Sequence, residues 1–377
     1  MFMRIAFYAP MKPPDHPVPS GDRRMGQLLT RALARGGHQV DLASGFRSYE
    51  GTGDPARQAA LRRSGIAEAR RLIAYYKAQA PAARPDLWFT YHVYYKAPDW
   101  IGPEVARALK IPYAIAEASH AGKRDVPAWR LGHRGAMLAI GAADLIFSMT
   151  AVDRAGIAPL LGARQQHCDL PPFLDVEGFA PPSAQAVDKA RPTRLLTVAM
   201  MREGAKLESY RRLAAALARL ADLDWHLTII GDGPAREEVA AAFAEFPAGR
   251  VRFTGALPLQ QVARCYREAD LYLWPAAEEA YGMALLEAQA SGLPVIAARV
   301  RGVPDVVQDG QCGFLTPDGD IAAFADTARF LICDSAARAQ MGLAARAYVR
   351  DNHGLDRAAM RLDRGFAQVA RPMVRVP

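Results

Sequence analysis

The chain has 377 residues and a mass of 41.0 kDa, is 51% hydrophobic and 23% charged, and has a mean hydropathy of −0.07. At roughly 100–200 residues per domain this predicts two packed cores and excludes a single small module, a disordered chain and a fibrous one. The formal charge is +8, and the first 190 residues hold +7 of it, with 24 basic against 17 acidic side chains. That half is therefore expected to meet something anionic, such as a membrane surface, a phosphorylated lipid or an acidic glycan.

No run reaches the roughly 18–20 apolar residues of a membrane span, and MFMRIAFYAPMKPPD breaks at Pro10 and Lys12 before a signal-peptide core forms, which predicts a cytoplasmic protein. MRIAFYAP reads as a buried strand, SGDRRMGQLLTRALARGG as a helix closed by Gly36-Gly37, and HQVDLAS as the next strand, together a βαβ unit. The stretch 54–79 reads as a helix in which Arg57, Arg62, Arg63, Arg70, Arg71 and Lys77 interleave with Leu61, Ile66, Leu72, Ile73, Tyr75 and Tyr76. Its apolar residues suit a sheet-covering face, while a basic helix with aromatic residues also suits an anionic membrane, so reversible attachment to the inner face of the membrane is expected. The apolar runs LWFTY (87–91), YAIAE (113–117) and DLIFSM (144–149) alternate with helical patterns near 55–80, 99–109 and 129–142, as in a parallel sheet covered on both faces.

Residues 171–193 concentrate Pro, Ala and Ser and read as a linker. The alternation then restarts with strands at 194–200, 225–231, 251–255, 270–275 and 293–298 and helices at 206–221, 234–246, 258–268 and 282–291. In the helix at 206–221, Leu207, Tyr210, Leu213, Leu217 and Leu220 form one apolar stripe. Two doubly wound α/β domains are thus expected, residues 1–180 and 190–355, with a helix near 356–377 packing back onto the first. Ligands bind such sheets outside the carboxyl ends of the strands, so each domain is expected to hold one ligand at a shared cleft. The four cysteines, Cys168, Cys265, Cys312 and Cys333, lack CxxC or CxxH spacing and are expected to be reduced core thiols.

The densest chemistry lies in residues 270–320. Glu279 and Glu287 bracket seven residues, and Gly282 stands where a loop enters a helix. A helix start with an unobstructed glycine turns free N–H groups onto a phosphate, and a carboxylate one or two turns later accepts both hydroxyls of a ribose. Glu279, still in the loop, points past the phosphates to the group they carry, a sugar. Arg202 and Lys206 follow the strand at 194–200, where two cations neutralise a departing diphosphate. Gly231-Asp232-Gly233-Pro234 fails as a dinucleotide fingerprint, because Arg236 takes the third glycine position and no acidic residue ends a following strand about twenty residues on. Of the two D-x-D matches, Asp222/Asp224 falls in a helix-to-strand turn and Asp318/Asp320 caps a helix starting near Ile321. No obligatory metal or other cofactor is expected, and no nucleic acid partner.

With its flanking AYGMALLEAQASGLPVIA, this E-x7-E pattern resembles the retaining glycosyltransferases of family 4, as do IIGDGPAREEV (229–239) and the D-G-x-x-G-F-L segment at 309–315. The resemblance implies the GT-B fold, two Rossmann-like domains facing across a cleft, and a nucleotide-diphosphate sugar as co-substrate. It gives Glu279 to the donor sugar, Glu287 to the ribose, and Tyr281, Gly282 and Met283 to donor binding, with Gly231 and Gly233 as turn-formers beside the nucleotide. In the first domain it brings the loop bearing Gly21 to the donor phosphates and His120 to the sugar. The family shows an arginine and a lysine five positions apart, whereas here Met200 or Met201 occupies the arginine position, so Lys206 is the carry-over and Arg202 its stand-in partner. His92 in FTYHVYYKAPDW suits the lining of an acceptor pocket, but with Tyr91, Tyr94 and Tyr95 around it core packing is the preferred reading. Implied further are retention, with the leaving diphosphate helping to deprotonate the acceptor, and a glycan, lipid-linked or small-molecule acceptor from envelope polysaccharide or glycolipid synthesis. The alternatives are a glycoside hydrolase using Glu279 and Glu287 as acid and nucleophile, and a non-catalytic nucleotide-sugar binder.

Overall fold

A computed structural model describes residues 2–18, 20–179 and 191–369, which fold as two units. The chain passes from unit 1 to unit 2 at Pro171–Pro172 and returns to unit 1 at Leu355. Unit 1 runs β1 (Arg4–Tyr8), α1 (Gly21–Arg35), β2 (Gln39–Ser44), α2 (Pro55–Ala78), β3 (Leu87–Val93), α3 (Gly102–Leu109), β4 (Tyr113–Ala118), α4 (Arg130–Ala142), β5 (Leu145–Ser148), α5 (Ala151–Ile157) and β6 (Gln166–Asp169). Its strands make one parallel sheet in the order β2-β1-β3-β4-β5-β6. Helices cover a parallel sheet on both faces, so its central strands are continuous apolar runs. Leu87, Trp88, Phe89 and Tyr91 of β3 are accordingly all at most 1% exposed. Among the described residues strand β6 pairs with β5 alone, and its sequence, QHCD, has no apolar run by which it could be read.

The last element of the chain, α12 (Leu355–Val369), packs on α1, β5 and β6 of unit 1. Its Phe366 ring lies 6.0 Å from Phe89 and 5.9 Å from Phe147, both edge-on, and 5.7 Å from His38, whose Nε2 is 2.8 Å from Asp363 Oδ1. Gly365 is needed for this approach, since a Cβ there would stand 2.5 Å from the Phe147 ring. Helix α2 buries Gln58, Gly65, Ala69, Leu72 and Tyr76 along one stripe and exposes Arg57, Arg62, Arg63, Arg70, Arg71 and Lys77.

Unit 2 runs β7 (Thr193–Val198), α6 (Ala205–Ala218), β8 (Trp225–Ile230), α7 (Arg236–Ala242), β9 (Val251–Phe253), α8 (Leu259–Glu268), β10 (Leu271–Trp274), α9 (Met283–Ala290), β11 (Val295–Ala298), β12 (Gly313–Thr316), α10 (Ile321–Cys333) and α11 (Ser335–Asn352). Its parallel sheet has the order β12-β11-β10-β7-β8-β9. The leucine stripe of α6 is core as its period requires, with Leu213 and Leu217 fully buried. Of the stretch 171–193, Phe173, Leu174 and Phe179 are buried; Leu174 N donates to His353 O, and the Phe179 ring is 6.2 Å from Tyr266. Residues 180–190 of that stretch, and 370–377 of the expected terminal helix, lie outside the described residues. The expectation of four core thiols is corrected. Cys312 is buried, Cys168 and Cys265 are half-buried and Cys333 is exposed, because Cys333 closes α10 on its solvent side.

Candidate active site

In both units the strand order reverses beside the first strand, between β1 and β3 in unit 1 and between β7 and β10 in unit 2. At such a point successive connections leave for opposite faces of the sheet, and a crevice opens at the carboxyl ends. Strands β7 and β10 are in register only at Leu271↔Leu195 and Tyr272↔Leu196. Beyond that, side chains replace the ladder: Tyr272 OH donates to Val198 O at 3.1 Å and Thr197 Oγ1 to Leu273 O at 2.6 Å. The loops leaving these two strands carry the chemistry.

Lys206, in the first turn of α6, donates from Nζ to Glu279 Oε2 in the loop after β10. Trp274 Nε1, at the end of β10, donates to the same oxygen at 3.0 Å, and Lys206 Nζ stands 5.1 Å from the centroid of the Trp274 ring. The pair is largely enclosed, with side-chain exposures of 27% for Lys206 and 15% for Glu279. The loop that presents Glu279 holds Ala276 and Glu278 at φ 58° and 49°, a left-handed backbone that non-glycine residues seldom keep except where function or packing fixes it. Ser209 of α6 fixes it here, accepting from Ala277 N at 2.9 Å. The loop ends at Gly282, also left-handed at φ 78°, which starts α9 without a side-chain cap and so leaves the first N–H groups of that helix to another acceptor. A Cβ at Gly282 would stand 2.8 Å from Leu285 and 3.4 Å from Glu279 Cγ. A cation, a carboxylate and an uncapped helix start therefore share one strand edge, an arrangement that can hold a polyanion and a hydroxyl-bearing group attached to it.

The other expected donor residues fall around this group. Tyr281 and Met283 flank Gly282 and are half-buried. Glu287 lies on the same helix but is only 4% exposed, and its Oε2 accepts from Tyr266 OH at 3.0 Å. Arg202 is exposed and takes no part in the Lys206–Glu279 pair, and Met201 is fully buried while Met200 is 39% exposed. Gly231 and Gly233 line a seam between the loops after β7 and β8, where a Cβ would stand 1.9 Å from Ala199 O and 2.2 Å from Met201 O. Close backbone approach is thus the reason for both glycines, and Met201 N donating to Asp232 O and Ala235 N to Met201 O complete the seam.

In unit 1, Gly21 opens α1 behind the N-cap Ser20 and is exposed, with no atom within 4 Å of where its Cβ would stand. His120 follows β4, half-buried, its ring 5.7 Å from that of His133. The reading of His92 as core packing is corrected. Its Nδ1 is 3.0 Å from Asp22 Oδ1, both side chains retain some exposure, 16% and 27%, and Glu117 and Asp153 also face it. Burial opposes its charge, yet Glu117, Asp22 and Asp153 outweigh that and raise it to about 9. Burial likewise opposes the Asp22 carboxylate, and His92 nevertheless holds it below the usual carboxyl range. Glu117 is pushed up, first by burial, then by Asp153 and Asp22, with His92 working against them. These side chains lie seventy and twenty-five positions apart in the sequence, separations that carry no sign that they meet.

Three of the four D-x-D carboxylates are engaged in other contacts. Asp222 pairs with Arg329 at 2.6 Å, Asp318 with Arg212 at 2.7 Å, and Asp320 caps α10 by accepting from Ala323 N at 2.9 Å. Among the described residues, no three His, Cys, Asp or Glu side chains are grouped to hold a metal ion.

Residues 192–334, which span most of unit 2, match the sequence profile of the family described as Glycosyl transferases group 1. The chain is 38% identical over 123 residues to the sulfoquinovosyl transferase SQD2 of Arabidopsis thaliana, a match covering 32% of this chain and 24% of that protein, so it spans about a quarter of that relative. It is 30% identical over 278 residues to the GDP-mannose-dependent alpha-(1-6)-phosphatidylinositol monomannoside mannosyltransferase of Mycolicibacterium smegmatis, covering 67% of this chain and 72% of that one. Among solved structures, Anabaena HepE in complex with UDP superposes with a TM-score of 0.71 at 16% identity, covering 97% of this chain and 100% of the other, a likeness of GT-B fold. On the length and identity of the mycobacterial match together with the family profile, this chain belongs to the group 1 glycosyltransferases.

Proposed function

We propose that this protein transfers a sugar from a nucleotide-diphosphate sugar to a hydroxyl of an acceptor, with unit 2 holding the donor. The observation that carries the reading is the Lys206–Glu279 pair beside the uncapped start of α9, at the strand edge where the order of the unit 2 sheet reverses. In this reading the diphosphate lies on the α9 N–H groups and draws Lys206 from Glu279; Lys206 then neutralises the charge that grows as the bond from the sugar's anomeric carbon to the diphosphate breaks. The released Glu279 takes sugar hydroxyls, and Glu287 takes the ribose. The anomeric carbon bonds to the acceptor oxygen on the face the diphosphate leaves, which retains configuration, and the hydroxyl proton passes to the diphosphate. Arg202, exposed on the same turn, serves as a second phosphate contact, and Gly21 and His120 contribute from unit 1. No metal or other cofactor is required.

The acceptor is a glycan, a lipid-linked acceptor or a small molecule; the name of the mycobacterial relative, a phosphatidylinositol monomannoside mannosyltransferase, supports the lipid-linked class. The exposed arginines of α2 support work at the inner face of an anionic membrane, from the cytoplasm. Among the described residues no helix is long and apolar enough to cross a membrane. The hydrolase alternative needs Glu279 and Glu287 at one glycosidic bond, whereas they have separate partners, Lys206 and Trp274 for one and Tyr266 for the other.

The test is a panel of UDP-, GDP- and ADP-sugars, scored by melting temperature and by release of nucleoside diphosphate. One donor at 100 times its dissociation constant is expected to stabilise by about 2.7 kcal/mol. That donor is also expected to release diphosphate at a rate that Glu279→Ala lowers. Glycoside cleavage without nucleotide would instead establish the hydrolase, and donor binding without turnover the non-catalytic binder.

A further inference from the structure

Trp274 closes β10 at the edge where the order of the unit 2 sheet reverses, and it is only 2% exposed. A buried indole needs an acceptor for its N–H. Two other buried indoles find theirs within the core: Trp225 Nε1 donates to Leu220 O at 2.8 Å, and Trp88 Nε1 to Thr90 Oγ1 at 2.9 Å. Trp274 Nε1 donates instead to Glu279 Oε2 at 3.0 Å, and Lys206 Nζ lies over the Trp274 ring, 5.1 Å from its centroid. One side chain thus touches both members of the pair, the carboxylate through its edge and the ammonium through its face.

The indole is itself held. Its ring meets that of Tyr210 of α6 at 5.2 Å and 79°, and Tyr210 OH donates to Ala199 O at 2.7 Å in the loop after β7. Both hydrogen bonds to the Glu279 side chain end on Oε2, and among the described residues Oε1 accepts none. The last torsion of a glutamate is soft, so a carboxylate held by one cation alone turns or follows when that cation leaves. An N–H fixed in the core keeps Oε2 in place and leaves Oε1 to accept from a ligand hydroxyl. The ring face attracts an ammonium more weakly than a diphosphate does, so it keeps Lys206 close to the phosphate position without competing for it.

We propose that Trp274 is a positioning residue that parts the Lys206–Glu279 pair when the donor binds: its N–H keeps Glu279 at the sugar while Lys206 moves from the ring face to the diphosphate. This rests on the donor reading above and adds to it the group that holds the carboxylate once its cation has gone.

The experiment uses the full chain. Calorimetric titration gives the dissociation constants of UDP, GDP and ADP, and release of nucleoside diphosphate from UDP-glucose, GDP-mannose and ADP-glucose gives kcat and KM. Two substitutions remove the N–H, each with its melting temperature recorded: Trp274→Phe, and benzothienylalanine at the same position, which keeps the size and face of the indole and replaces its nitrogen by sulfur. Each folded variant is expected to bind the nucleoside diphosphate within twofold of the unaltered protein and to lose at least tenfold in kcat. A merely structural role would lower both together or neither. The unaltered protein supplies a readout that needs no variant to turn over: the Trp274 Nε1–H resonance, identified by its absence from the variants, is expected to keep its hydrogen-bonded position when nucleoside diphosphate binds and to move when the nucleotide sugar binds. The proposal is overturned when the folded sulfur variant keeps its kcat, when nucleoside diphosphate affinity falls as far as kcat, or when nucleoside diphosphate alone moves the resonance to that of an unbonded indole. A nucleotide sugar that binds without turnover is scored by the resonance, and one that leaves it where the nucleoside diphosphate does also overturns the proposal. Failure of every nucleotide to bind the unaltered protein overturns the donor reading instead.

Discussion

Single residues at the two strand edges are tied to partners that predict distinct phenotypes. Glu279 is held by Lys206 and Trp274 at the rim of the sheet, so Glu279→Ala is expected to lower turnover with little change in nucleotide affinity. Glu287, by contrast, is 4% exposed and accepts from Tyr266. Its removal takes from the buried Tyr266 hydroxyl its shorter bond and leaves it the 3.3 Å bond to Ala284 O, so Glu287→Ala is expected to cost about 1 kcal/mol in melting stability in addition to weakening nucleotide binding in a calorimetric titration. Equal effects of the two substitutions on turnover and affinity would contradict this division. His92 gives a pH signature. Raised to about 9, it adds stability that is complete below its ordinary value of about 6.5 and disappears as pH climbs through about 9. The melting temperatures of the unaltered protein and His92→Gln are therefore expected to converge between about pH 6.5 and pH 9.5. A difference that stays constant across that range would mean that the charge of His92 does not contribute. Of these residues the sequence marks the glutamates and Lys206 by spacing along one segment. It does not mark the Asp22–His92 pair, because an ion pair between a helix start and a strand end leaves no periodicity.

At the scale of elements, α12 closes unit 1 from the far end of the chain. Phe366 joins the Phe89 and Phe147 rings, and Phe366→Ala opens a cavity where three aromatic rings meet. The expected cost is about 3–5 kcal/mol by chemical denaturation, with the loss confined to unit 1. Helix α2 carries a different prediction. It buries a stripe on unit 1 through Gly65, Ala69, Leu72 and Tyr76 and presents six basic residues outward, with Tyr75 53% exposed. Co-sedimentation with anionic vesicles is expected at low salt, fading as ionic strength rises, and Arg62→Ala with Arg63→Ala and Arg70→Ala is expected to weaken it by roughly 1 kcal/mol per cation. Absence of sedimentation at low salt would leave a soluble acceptor. The helices were legible because 3.6-residue periodicity survives in α2, α6 and α12. The edge strands β6 and β12 were not, since QHCD and GFLT are too short and too mixed for period two or a continuous apolar run to stand out.

For the whole molecule, both sheets reverse their order beside their first strand, and the proposed donor site lies on unit 2. Nucleoside diphosphate is expected to slow hydrogen exchange most in the loops 199–206 and 275–284 of unit 2, with a smaller effect confined to the Gly21 loop in unit 1; protection spread evenly over both units would count against a donor site carried mainly by unit 2. What the sequence determined by itself was local and periodic: strands of buried apolar runs, helices with one apolar stripe, the loop-to-helix glycine at 282 and the glutamates on either side of it. These follow from backbone geometry and solvent exclusion acting over a few residues. The tertiary structure decided which strands became neighbours, and hence that Lys206 reaches Glu279 across 73 positions and that Asp22 reaches His92 across 70. It also decided that Gly231 and Gly233 serve a backbone seam and that the final helix belongs to the first unit. The reason is physical. Sheet order is set by how crossover connections pack, a property of the whole chain that no local window contains, and the contacts at a strand edge are inherited from that order.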